Sequence, residues 1–117
     1  MAKSVTELAR KLLKQKKEGL EDLRVHMFEL DGDEEDDDLH EQLHAEFSAE
    51  FERVQSELAA ELGAPVRTGD DDDDAIPLNG VFRFAIWQAN GKSLFVAAAH
   101  EDRDCPVILI LGTTADR

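Results

Sequence analysis

Three apolar runs in the last third of the chain restrict the fold more than any other feature. Val81-Phe82-Arg83-Phe84-Ala85-Ile86-Trp87 and Leu94-Phe95-Val96-Ala97-Ala98-Ala99 flank Asn90-Gly91, and Val107-Ile108-Leu109-Ile110-Leu111 follows. Short runs rich in β-branched and aromatic side chains suit buried strands. Asn-Gly readily supplies the positive φ angles of a tight hairpin. Residues 80–112 are therefore expected to form an antiparallel three-stranded meander. Pro106, which has no N–H to donate, marks where the third strand can begin pairing. Thr113 to Arg117 reads as a polar tail, and Trp87 as a core residue.

Such a sheet needs a cover, and the N-terminal half supplies amphipathic helices. Ser4 and Glu7 have the spacing of a capping box, in which each side chain satisfies a free N–H at a helix start. Val5, Leu8, Leu12, Leu20, Leu23, Met27 and Leu30 mark one apolar face, so a first helix is expected over residues 4–30. Polar residues interrupt that face between Gln15 and Gly19, and Gly19 costs about 1 kcal/mol inside a helix. Residues 23–30 also alternate in part, as a strand would. The flanking Glu18-Gly19-Leu20-Glu21-Asp22 carries no strand signal, which favours helix. Leu39, Leu43, Phe47, Phe51, Val54, Leu58 and Leu62 give the clearest helical periodicity, ended by Gly63 and Pro65. A second helix is expected over residues 39–62.

Two acidic runs separate these elements. Seven of the eight residues from Asp31 to Asp38 are acidic, which predicts a solvated loop over 31–38 joining the two helices. Asp70 to Asp74 are five consecutive aspartates, read as a solubilising part of an exposed connector over 64–79. The expected architecture is a single α+β domain over 1–117. It has two layers in the order helix, helix, strand, strand, strand, with the meander packed on a helix pair.

The charge balance bears on partners. Against 27 acidic residues stand 13 basic ones, a formal charge of −14. That excess disfavours nucleic acid or an anionic membrane as a direct partner and favours a basic protein. A lone Cys105, with no apolar run of signal-peptide or membrane-span length, sets the cytoplasm as the expected compartment. The thiol is not read as a nucleophile, because Asp102 and Asp104 beside it disfavour the thiolate.

One catalytic pattern is present. His40-Glu41-Gln42-Leu43-His44 matches H-E-x-x-H, whose histidines share a helix face and can ligate one zinc ion while the glutamate polarises a bound water. Leu39 and Leu43 already direct that face toward the core, which leaves His40 and His44 at its margin. Glu46, Glu50, His100 and Glu101 are third ligands by type only. The bland reading is a chance match in a Glu-rich chain. Asp31 to Gln42 fails as a calcium loop, since Asp36 stands where glycine is needed and Gln42 where a bidentate glutamate is needed. No phosphate loop, nucleophile elbow or paired-cysteine motif occurs.

The leading expectation is a non-enzymatic protein-interaction module without a cofactor. Its contact residues would be Asp36, Asp37 and Asp38 in one loop and Glu101, Asp102 and Asp104 in another. In this small, acidic, single-domain character the chain resembles bacterial immunity proteins and inhibitors that neutralise a basic nuclease or other toxin. The resemblance implies electrostatically steered binding to a basic partner. The alternative is a small zinc-dependent hydrolase using His40 and His44 with Glu41 as base. An acidic mimic of DNA and a homodimer formed through a sheet edge or helix seam stand behind these.

Overall fold

In the computed structural model, residues 4–15, 19–27, 37–89, 91–101 and 105–115 are described. The elements run α1 (Val5–Lys14), β1 (Gly19–His26), α2 (Asp37–Leu62), β2 (Arg67–Gly69), β3 (Val81–Ala89), β4 (Lys92–His100) and β5 (Val107–Ala115). The strands form one antiparallel sheet in the order β1-β5-β4-β3-β2. The α+β class stands as expected. The meander is the centre of a larger sheet, extended at both edges by strands from earlier in the chain.

The expected long first helix is two elements. α1 starts as its capping pattern requires, with the Glu7 N–H donating to Ser4 Oγ at 3.2 Å, and is extended by Gln15. Gly19 then opens β1, not a continued helix. A Cβ at Gly19 would lie 2.7 Å from Leu12 Cδ2, so the chain reverses tightly against α1. β5 presents an edge, and β1 pairs along it from Gly19 against Thr113 to His26 against Val107, with a bulge between Asp22 and Arg24. That long-range pairing outweighs the local helical pattern. Leu20 and Met27, placed on a helix seam by their spacing, are instead largely exposed. Consequently the first acidic run joins a strand to a helix, not two helices. Residues 28–36, which include most of that run, lie outside the described residues.

Both helices cover one face of the sheet. Val5, Ala9, Leu12 and Leu13 of α1 and Leu43, Phe47, Phe51, Val54 and Leu58 of α2 pack there with Ala85, Trp87, Leu94, Val96, Ala98, Val107, Leu109 and Leu111. Trp87 is core, as expected, and its indole Nε1–H donates to Gly63 O at 2.8 Å, tying β3 to the end of α2. Thr113 to Ala115, expected as tail, continue β5, and buried Thr113 accepts the Gly19 N–H at 3.1 Å. Gly91 has the positive φ expected of the hairpin.

The other face is also apolar. Phe84, Ile86, Phe95, Ala97, Ala99 and Ile110 are buried there with Val81 and Ile76. Ile76 comes from the segment expected to be an exposed connector, which therefore folds back onto the sheet. Its aspartates hold the turn. Asp72 Oδ1 accepts the Val81 N–H and Asp73 Oδ1 the Ala75 N–H, both at 2.9 Å. Asp73 also pairs with Arg67 of β2 at 2.8 Å. Neither described helix is long and apolar enough to cross a membrane.

Candidate functional site

One end of the sheet gathers the chain's chemistry. Val107 begins β5 and is paired on one side with His26, the last residue of β1, and on the other with His100, the last residue of β4. The first turns of α2 lie over this end and bring His40 and His44. All four histidines of the chain are thereby placed at one end of the fold. They are far apart in sequence, so only the tertiary pairing unites them.

Three of the rings are in mutual contact. His44 Nε2 and His100 Nδ1 share a hydrogen bond of 2.9 Å, donor and acceptor depending on the tautomer. The His40 ring stacks on His100 with centroids 5.0 Å apart and planes 22° apart. His44 meets His100 edge-on at 5.1 Å and lies nearly parallel to Phe82 at 4.4 Å. Phe82 reaches this position through a bulge, since the β3–β4 register shifts between Val81 and Arg83. His40 is buried, in line with Leu43 and Phe47, so the core seam of α2 runs through it. The helical spacing alone puts both histidines at the margin of that seam; in the structure His40 lies within it and His44 is half-buried.

The ends of the flanking strands are fixed by backbone. The His100 N–H donates to Gly80 O at 2.9 Å. Gly80 takes φ +72°, and a Cβ there would lie 2.4 Å from His100 O, so only glycine fits beside the histidine. Burial, followed by the neighbouring His100 and His40, pushes the His44 pKa below that of an ordinary histidine. His44 therefore favours its neutral imidazole form.

Acidic residues surround this end. Asp37 and Asp38 are exposed in the first turn of α2, where carboxylates complement the helix dipole, and Glu101 is exposed immediately after β4. Through the stacking of His40 on His100, the end of one acidic segment is joined to the start of the other. Asp36, Asp102 and Asp104 lie outside the described residues. Glu41 is exposed on α2 and Cys105 is half-buried ahead of β5. Among the described residues, no group of three or more histidine, cysteine or acidic side chains is placed to hold a metal ion.

Sequence reasoning named His100 only as one of four possible partners for the H-E-x-x-H pattern. The structure places its ring in contact with those of His40 and His44. Phe82 was missed altogether, because its turn toward the helices depends on a bulge that no local pattern announces. Comparison with protein-family models, curated proteins and solved structures finds no match to this chain.

Proposed function

We propose that this protein is a non-enzymatic, cytoplasmic interaction module that presents one acidic end to a basic protein partner, in the manner of an immunity or inhibitor protein. The observation that carries the reading is the contact between His40 and His100, which anchors the acidic segment entering α2 beside the one leaving β4. Carboxylates from Asp36, Asp37, Asp38, Glu101, Asp102 and Asp104 would then act on a partner together. With a chain charge of −14, long-range attraction would steer the encounter.

The test begins with gentle purification of the complex at low salt and continues with stopped-flow association of the isolated partner. Between roughly 20 and 200 mM salt, the association rate should fall at least about tenfold as screening shortens the reach of the field. Replacing Asp36, Asp37 and Asp38 by asparagine should slow association without altering the circular dichroism spectrum. A rate indifferent to both changes removes the reading.

A second reading, a small zinc-dependent hydrolase using His40, Glu41 and His44, draws support from one contact. The His44 to His100 hydrogen bond brings a third imidazole to the pattern. This reading requires a hydrolytic activity that Glu41→Gln abolishes while metal stays bound.

A further inference from the structure

We propose that β1 is a contact between two copies of this chain, which pair antiparallel along this edge about a two-fold axis and join their sheets into one. β1 ends the sheet on one side and β2 on the other. β2 is blunted by its length, three residues against the eight of β1. A strand as long as β1 can template another. Three of the four large apolar side chains that stand exposed among the described residues, Leu20, Val25 and Met27, lie on β1 or directly after it. The inference does not depend on the acidic-partner reading.

The side chains of the edge match a second copy of themselves. Residues an odd number apart on a regular strand point to opposite faces. The bulge between Asp22 and Arg24 changes this count. Leu20 lies on the face of Phe95, since a Cβ at its partner Gly112 would meet both side chains. Val25 stands opposite Ile108, which packs on the same face. Glu21 pairs with Lys11 of α1 and Arg24 lies over Phe47 of α2, so both point to the helix face. Antiparallel pairing centred on Asp22 therefore sets Leu20 opposite Val25 of the second copy on one face. On the other it sets Glu21 opposite Arg24 of the second copy. The axis makes each contact occur twice. Apolar pairs and opposite-charge pairs are the kinds that stabilise adjacent strands.

Two features limit the strength of the pair. At the axis the exposed Asp22 meets its own copy, a like-charge contact that costs affinity. The chain charge of −14 adds repulsion between the copies at low salt. The Glu21 to Arg24 contacts lie at the surface, where screening takes little from them. Dimerisation should therefore tighten as salt rises, whereas binding of a basic partner through the acidic end weakens. Salt separates the two kinds of association.

The experiment uses the full chain in sedimentation velocity, up to roughly 1 mM protein, at about 20 and 200 mM salt. A monomer–dimer equilibrium should appear and be stronger at the higher salt. Leu20→Lys and Val25→Lys, each acting twice, should weaken it at least about tenfold with the circular dichroism spectrum unchanged. Asp22→Asn should strengthen it. The register is tested in a Cys105→Ser background. A mixture of Leu20→Cys and Val25→Cys chains should form a cross-chain disulfide on oxidation. Leu20→Cys alone should not, since its two copies lie roughly 13 Å apart along the strands. A monomer at both salts in the unmutated protein overturns the proposal, a result that requires no variant to fold. A dimer indifferent to both lysine substitutions would place the contact elsewhere and overturn it too, as would cross-linking through Leu20→Cys alone in preference to the mixture.

Discussion

At the residue scale, His44 carries a pH dependence of its own. Its folded pKa lies below the ordinary histidine value, through burial first and the nearby His100 and His40 second. The unfolded chain therefore binds the proton more tightly than the folded one. Stability from this group is complete above about pH 6.5 and is lost as pH falls through the folded pKa. In chelator-treated protein, urea midpoints should decline from roughly pH 7 to pH 5, and His44→Gln should flatten that decline. A midpoint unaffected by the substitution across this range would show that the imidazole contributes nothing to the dependence. The spacing of His40 and His44 was legible in the sequence because a helix converts four residues into one turn. The partner ring at His100 was not, since its approach depends on strand pairing over a separation of 56 residues.

At the scale of elements, the second acidic run performs structural work that its composition conceals. Burial raises the Asp73 pKa, but the Ala75 N–H and the Arg67 guanidinium favour the carboxylate more, and the net shift is downward. Its contribution is present above the usual aspartate pKa of about 3.9 and is lost as pH falls below it. Asp73→Ala should cost about 1–3 kcal/mol in urea unfolding, because it leaves a half-buried N–H without its acceptor and frees the turn that seats Ile76. Asp74→Asn, at an exposed position in the same run, should change stability by less than about 0.5 kcal/mol. Equal effects would return the run to the role of a plain linker. The contrast also marks the limit of reading elements from pattern. α2 and the three central strands were visible because their periodicity is local and strong. β1 was not, because Gly19 to His26 becomes a strand only when β5 offers its edge. Ile76 was hidden for a related reason, since the short stretch Ala75-Ile76-Pro77-Leu78 after five aspartates is too brief to show a period.

For the whole molecule, salt should act in opposite directions on folding and on binding. Among the described residues, carboxylates pair with Arg10, Lys11, Arg24, Arg53, Arg67 and Arg83 at largely exposed positions, and salt weakens such contacts only slightly. The unbalanced charge of −14 opposes compaction throughout the chain, and salt relieves that repulsion. Self-repulsion is the larger effect, because acidic residues outnumber basic ones by two to one. Raising salt from roughly 20 to 200 mM at neutral pH should therefore raise the thermal midpoint, as the Debye length contracts to below about 10 Å. The same change should slow association with a basic partner. Thermal unfolding and stopped-flow association measured in one salt series thus give slopes of opposite sign. A midpoint that falls with salt would mean that the exposed ion pairs outweigh the net charge. The excess carboxylates would then lie far enough apart to cost the fold little, and the acidic end would be a weaker source of field than its composition implies.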